Sequence, residues 1–489
     1  RVVVLGSVLS DAECDALVAL ARARLTRSET FLLDEGVSRV HEARTSEGMF
    51  FTRGETDKGN TKEVWVYDLR ANMPQFGKRT PLTREHFERL DHDDPLGESR
   101  GRFDLPSGEI YLDGNSLGAM PAHVPARVER VLKQEWAQGL IRSWNDAEWY
   151  PAPQRTGGKI ARLIGAGAHE VIVADSTSIN LFKVLVAATR MQPGRKVILG
   201  ERGNFPTDVY VASGVAELTG SELRCVEPDE VLAALNDEVA ILSLTHVNYK
   251  SGRRYDMAAI TARAHEVGAL VVWDLCHSAG AMPIDLNGVQ ADFAVGCGYK
   301  YLNGGPGAPA FVYVAERHIP HVRQPLTGWH GHARPIDFTH DYEAHPTIDR
   351  MLVGTAPQLG ILALEASLEM FDGVDMQVLR NKSVALCDLF IQLCDEQLAG
   401  LGVELRSPRD AAQRGSQVSL AHANAYPVMQ ALIARGVIGD FRAPDILRFG
   451  FAPLYNSYVN IWDSVQALRE VLASGEWNAP QFIARKSVT

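Results

Sequence analysis

The sequence predicts an α/β fold, with a mostly parallel sheet covered by helices on both faces and a smaller α+β domain after it. Two observations carry that expectation. Between residues 171 and 314, short apolar β-rich runs alternate with amphipathic, helix-like segments. This alternation marks a parallel sheet whose strands are buried on both faces. The text then changes: two long helical stretches, Pro357–Phe371 and Met376–Gln397, precede short strands near Val403, Val418 and Leu447.

Taken in order, the strands of the sheet are expected at Val171–Ala174, Lys196–Leu199, Glu222–Val226, Val239–Leu244, Ala269–Trp273, Asp292–Val295 and Ala310–Val314. A helix is expected over Ser178–Arg190 and another from about Thr207. Before residue 90 the pieces are short and ill-matched. They are a helix-like Asp11–Arg24, a basic Gly-rich Arg44–Asn60 and a Pro/Gly/Lys stretch, Pro74–Pro81. None is long enough to build a core alone. Asp91–Arg100 is charged and turn-rich, as a linker or domain entrance would be. The domain plan is therefore 1–82 as a poorly folded remnant and 83–150 as a lead-in. A large domain over 151–355, a small one over 356–476 and a tail over 477–489 complete it.

Composition bounds the function. The chain has 489 residues, 46% of them hydrophobic and 22% charged, with a net charge of −11. An acidic surface argues against nucleic acid or anionic membrane as partner. No apolar run reaches the ~18 residues of a membrane helix, and Arg1-Val-Val-Val-Leu-Gly is too short for a signal-peptide core. The chain opens on Arg1 and not on methionine, which reads as the start of a fragment. Six scattered cysteines (Cys14, Cys225, Cys276, Cys297, Cys387, Cys394) have no CxxC spacing, and read as reduced thiols of a cytoplasmic protein.

The chemistry begins at Gly296-Cys-Gly-Tyr299-Lys300-Tyr-Leu-Asn-Gly-Gly. A lysine follows a short strand and precedes a Gly-rich turn, where backbone can approach a ligand closely. A desolvated lysine becomes a nucleophile; in isolation, a solvated surface lysine is the plainer reading. Upstream, Asp274 ends the apolar run Val271-Val-Trp, with His277 three residues on. Ligands of open α/β sheets bind at such carboxyl ends. A carboxylate there suits the pyridine nitrogen of pyridoxal phosphate, which must stay protonated to accept electrons. Asp274 could instead cap a helix, and His277 could be structural. Thr177 and Ser178 open a helix after a strand, a place for phosphate or a simple N-cap. Phe205-Pro206-Thr207-Asp208 offers a ring for stacking and a carboxylate, or a turn with a cap. Arg448 lies in a strand-like apolar run and suits a substrate carboxylate or an internal salt bridge. His330 and His332 beside Trp329 have metal-like spacing, yet no third ligand is evident, so no metal is expected.

With these residues assembled, residues ~85–476 resemble kynureninase, a fold-type I pyridoxal-phosphate enzyme. The motifs are Tyr111-Leu-Asp-Gly-Asn-Ser-Leu-Gly118, Gly139-Leu-Ile-Arg-Ser-Trp-Asn145, Asn204-Phe-Pro-Thr-Asp208, Gly298-Tyr-Lys-Tyr-Leu-Asn-Gly-Gly305, Gly328-Trp-His-Gly-His332 and Pro453-Leu-Tyr-Asn-Ser457. The resemblance implies Lys300 as the Schiff-base lysine, Asp274 as the pyridinium partner and Tyr299 as a proton-transfer group. It places Thr177, Ser178, His277, Tyr299 and Thr245 around the phosphate, and Phe205, Pro206, Thr207 and Asp208 along the ring. It brings Trp329 and Thr355 from the neighbouring subunit of a homodimer, and gives the substrate Arg448, Asn115, Ser116 and Trp144. The implied reaction is hydrolysis of L-kynurenine, or its 3-hydroxy derivative, to anthranilate, or 3-hydroxyanthranilate, and L-alanine, a step of tryptophan catabolism and NAD biosynthesis. The residues alone leave open another enzyme of this fold, such as a cysteine desulfurase or an aminotransferase, or an inactive fusion product.

The first 82 residues fall outside that resemblance. Leu9-Ser-Asp-Ala-Glu-Cys-Asp and Arg44-Thr-Ser-Glu-Gly-Met-Phe-Phe-Thr-Arg-Gly are similar to the start of a prolyl 4-hydroxylase-type protein. Val64-Trp-Val-Tyr-Asp-Leu-Arg-Ala-Asn-Met-Pro-Gln-Phe-Gly-Lys-Arg-Thr-Pro81 is similar to a piece of a type I restriction-modification methyltransferase subunit. Neither piece carries its family's catalytic residues, so no separate activity is expected.

Overall fold

The structure, a computed structural model, describes residues 82–485 and, before them, short strands between residues 26 and 67. The chain divides into two compact units, Arg1–Leu82 and Thr83–Thr489. In the first, Thr26–Arg27, Glu47–Phe50 and Trp65–Tyr67 form an antiparallel sheet, and Glu29–Phe31 pairs with Ser38–Val40. The helix expected over Asp11–Arg24 lies outside the described residues.

The second unit is built on a seven-stranded sheet. Its strands are β1 (Val171–Val173), β2 (Val197–Glu201), β3 (Glu222–Val226), β4 (Val239–Thr245), β5 (Leu270–Asp274), β6 (Phe293–Gly296) and β7 (Phe311–Val314). They lie in the order β3-β2-β4-β5-β6-β7-β1, and β7 alone runs against its neighbours. Successive side chains of a strand point to opposite faces, and here both faces are apolar. Val271 and Trp273 join Leu199, Leu242 and Phe311 in one core, whereas Val272 joins Ile198, Ile241, Phe293 and Val312 in another. Helices close both sides. Ile160 and Ile260 cover the first face, and Val184, Ala188 and Val215 cover the second.

A smaller antiparallel sheet follows, formed by β8 (Glu404–Leu405), β9 (Gln417–Ala421), β10 (Asp440–Arg442) and β11 (Ile446–Gly450) in the order β8-β9-β11-β10. The long helix Met376–Gln397 and the helix Ala425–Ala434 back it, and the helix Tyr458–Ser474 packs against those two helices. The stretch expected to be a linker or domain entrance is instead docked. Asp91 accepts the free N–H groups of Tyr458 and Val459 at a helix N-terminus, the latter at 3.0 Å, and Asp94 pairs with buried Lys382 at 2.6 Å. Its charges are anchors of the fold.

At the opposite end of the sheet from the strand carboxyl termini, Asp292 opens β6 with only 2% exposure. It accepts from His265 Nε2 and Val271 N–H, each at 2.8 Å, and from Arg317 and His318 Nε2, each at 2.7 Å. Burial alone would raise this carboxyl, but the bonds from His265, His318 and Val271 outweigh it and hold it below the usual range. A depressed carboxyl stabilises the fold above its unfolded value of about 4, and that stabilisation is lost as pH falls through the folded value. Asp292→Asn should therefore cost about 2–3 kcal/mol at pH 7, and its deficit against the parent should shrink below about pH 4. Urea melts at the two pH values check this.

Candidate functional site

The parallel register sets the site. Thr245, at the end of β4, pairs with Asp274, at the end of β5, and Asp274 pairs with Val295 of β6. Two residues past β6 the chain turns through Gly298 into Tyr299 and Lys300. Three adjacent strand ends therefore deliver Thr245, Asp274 and Lys300 to one edge.

Asp274 is buried, and its Oδ1 accepts the Cys276 N–H at 2.7 Å. The turn that this bond closes presents His277, whose Nε2 lies 3.0 Å from Lys300 Nζ. Burial first, then the charges of Lys300, Arg448 and Arg442, hold the His277 imidazole well below its ordinary value, so it is neutral. The same ammonium sits 5.9 Å above the Phe205 ring and 5.8 Å above the Tyr299 ring. Burial, with the Cys297, Cys276 and Asp274 side chains beside it, raises the Tyr299 phenol, which keeps its proton.

The helix Pro206–Thr219 brings Asp208 in its first turn. Thr245 Oγ1 donates to Asn204 Oδ1 and, at 3.3 Å, to Asp208 Oδ2. Asp208 faces Asp274, and burial followed by that like charge pushes its carboxyl well up. Pro206 is exposed and Thr207 half-buried on the same turn. The helix Thr177–Met191 is capped by Ser176, which accepts the Ile179 N–H at 3.4 Å. The first N–H groups of a helix have no intrahelical acceptor, so Thr177 and Ser178 present free donors. Thr177 Oγ1 lies 3.8 Å from Cys276 Sγ, which places this helix end beside the Asp274 turn.

The segment Tyr111–Gly118 joins the lysine turn to the small sheet. Gly118 N–H donates to Tyr299 O at 2.8 Å, and Asp113 bridges Gly450 at the end of β11. Ser116 Oγ accepts from Arg448 Nη2 at 2.6 Å. The Asn115 amide is best satisfied with its nitrogen donating to Asp113 Oδ1 and its oxygen accepting from Arg448 Nε, both at 3.2 Å. Arg448 is fully buried and pairs with Asp440, so the salt bridge that the sequence left open is present. Three other expected residues are not brought to this cluster. Trp144 packs edge-on against Trp149, Trp329 stacks on His330 at 39% exposure, and Thr355 is exposed.

Asp440, Arg442 and Tyr249 were not foreseen. Arg442 donates to Asp440 at 2.6 Å, and Tyr249 O accepts from Arg448 Nη1 at 2.7 Å. The turn residues Ala443-Pro444-Asp445 between two short apolar runs were the available signal for a hairpin. In it Asp440 stands opposite Arg448.

The kynureninases of Burkholderia mallei (strain SAVP1) and Pseudomonas fluorescens are 51% and 50% identical to this chain over 414 residues. The match covers 83% of the chain and 100% of each of those proteins. The chain belongs to the kynureninase family. Residues 379–468 also match the Kynureninase C-terminal domain. Among solved structures, cysteine desulfurases of Thermococcus onnurineus NA1 and Escherichia coli superpose with TM-scores of 0.67 and 0.66. Each is 19% identical; the matches cover 77% and 78% of this chain and 98% of each of theirs. At that identity they show the fold, the fold-type I architecture. Among the described residues, Cys276, Cys297, Cys387 and Cys394 are buried, and Cys225 lies in β3.

As a kynureninase the chain is a pyridoxal-phosphate-dependent hydrolase, and its residues fit that cofactor. Asp208 and Asp274 are two buried carboxyls facing each other, an arrangement that calls for a cation between or beside them. A protonated pyridine nitrogen is such a cation. Close backbone approach is equally specific: a Cβ on Gly118 would lie 2.2 Å from Lys300 O. Gly118→Ala should therefore push the lysine turn outward. A loss of about 1–3 kcal/mol in stability is expected, together with weaker cofactor uptake, read from thermal melts and cofactor absorbance.

Proposed function

We propose that this chain hydrolyses L-kynurenine, or its 3-hydroxy derivative, to anthranilate, or 3-hydroxyanthranilate, and L-alanine, and carries its cofactor on Lys300. The observation that supports this best is the gathering of Lys300, His277, Asp274 and Asp208 at one edge, with the Arg448 charge felt at His277.

Pyridoxal phosphate, when bound, withdraws electrons from the substrate's α-carbon and so loosens the bonds around it. The chain does the rest. Asp274 would hold the pyridine nitrogen protonated, with Asp208 beside it. The free N–H groups and hydroxyls of Thr177 and Ser178 would take the phosphate, with Thr245, His277 and Tyr299 nearby. Phe205, Pro206 and Thr207 would line the ring. Lys300 takes the proton from the α-carbon. Neutral His277, 3.0 Å from its Nζ, can share the ammonium proton and steer the amine. Arg448 would anchor the α-carboxylate, with Asn115 and Ser116 against its guanidinium and Trp144 further out. Water adds at the γ-carbonyl carbon, and the Cβ–Cγ bond breaks between acyl product and alanine. Tyr299, whose phenol stays protonated, can give a proton to the β-carbon or the carbonyl oxygen.

We read the chain as a cytoplasmic homodimer. In that reading, exposed Trp329 and Thr355 complete the site of the neighbouring subunit.

Purified protein given pyridoxal phosphate and kynurenine should release anthranilate, followed by its fluorescence. Lys300→Ala should lower kcat by about 10³-fold or more. No release by the parent protein across pH 6–9 would overturn the proposal. Mixing Lys300→Ala with Trp329→Ala protein should restore activity, because a hybrid dimer regains one intact site. Activity no higher than the sum of the separate variants places Trp329 outside the neighbour's site.

A further inference from the structure

Two arginines of the small sheet share one carboxylate. Asp440 and Arg448 stand opposite each other across β10 and β11, and Arg442 lies two residues beyond Asp440, on the same face. Asp440 is 1% exposed. Its Oδ1 accepts from Arg448 Nε at 2.8 Å. Its Oδ2 accepts from Arg448 Nη2, from Arg442 Nη2 at 2.6 Å and from Ser116 Oγ at 2.9 Å. That carboxylate is saturated.

The charges do not balance. Both guanidiniums are permanently charged. The other carboxylate in reach is Asp113, whose Oδ1 lies 3.8 Å from Arg448 Nη2. Burial first, and then the Asp440 charge, raise Asp113 to about 7, so at neutral pH it supplies only part of a negative charge. The donors do not balance either. Arg442 Nε is buried with no hydrogen-bond partner, a rare condition for a charged group. The two Nη2 groups also converge on one oxygen, Ser116 Oγ, at 2.6 Å from Arg448 and 3.2 Å from Arg442. Two cations aimed at one point, with their charge only partly balanced and with a spare donor, describe a carboxylate receptor.

We propose that Arg442 and Arg448 together bind the substrate's α-carboxylate, and that Asp440 is the positioning residue that aims both guanidiniums. This rests on the reading of Arg448 as the carboxylate anchor. Asp440 on the Nε edge and Tyr249 O on Nη1 fix the plane of Arg448, so a lysine at 448 could not reproduce it.

The test uses holoenzyme variants Arg442→Gln, Asp440→Asn and Arg448→Lys. It reads KM and kcat for kynurenine, and the Kd of L-alanine and of ethylamine from cofactor absorbance. Ethylamine is the same amine without the carboxylate. Arg442→Gln and Asp440→Asn should each raise KM and the alanine Kd about tenfold or more, with kcat within about threefold and the ethylamine Kd unchanged. Asp440→Asn should add little in an Arg442→Gln, Arg448→Lys background, because its effect runs through both arginines. Should Asp440→Asn fail to fold, half-buried Arg442 carries the test alone. If Arg448→Lys weakens alanine while Arg442→Gln does not, the two-arginine receptor is overturned and the reading of Arg448 stands. An unchanged alanine Kd in Arg448→Lys sinks the reading of Arg448 itself. Ethylamine weakened as much as alanine makes the role structural and also overturns the proposal.

Discussion

The register between three parallel strands is the constraint on which the site depends. Thr245, Asp274 and Val295 stand side by side at the carboxyl ends of β4, β5 and β6. Backbone bonds continue past the strands: His246 N–H reaches Asp274 O at 2.9 Å and Leu275 N–H reaches Val295 O at 2.8 Å. A shift of one residue would turn Asp274 toward the opposite face and exchange it for Trp273, which is wholly buried. The apolar cores on the two faces make such a slip costly. Hydrophobic packing thus fixes where a carboxylate meets a lysine, although neither residue contributes to the packing.

The second constraint is the segment Tyr111–Gly118, which holds the lysine turn and the arginine strand together. It donates to Tyr299 O, bridges Gly450 and puts Ser116 on Arg448. Its glycines are required by contact: a Cβ on Gly114 would lie 2.2 Å from the Tyr455 hydroxyl, as close as one on Gly118 would come to Lys300 O. The lysine turn and the arginine strand belong to different sheets, and this segment ties them together.

Much of this was legible in the sequence because strand ends are local features. An apolar run ending in Asp274, and another leading through glycines to Lys300, can be read without knowing the neighbours. Phe205 and Asp208 were legible for the same reason, lying at the turn between a strand and a helix. Asp440 and Arg442 were not, because their meaning comes from pairing across a hairpin and from a serine over 300 residues away. The docking of Asp91 and Asp94 was hidden likewise. Their charges read as a solvated linker until the partners, a helix N-terminus and Lys382, are brought to them by the fold. Trp144 and Thr355 entered through family resemblance alone; Trp144 packs on Trp149 and Thr355 is exposed.

The central claim is that Lys300 is the residue that holds the cofactor. Reducing the holoenzyme with borohydride and mapping its peptides by mass tests this most directly. The account predicts a phosphopyridoxyl group on the peptide bearing Lys300 and on no other lysine, with the buried Lys183 and Lys382 unlabelled. A label elsewhere, or a cofactor that washes out unattached, would contradict it.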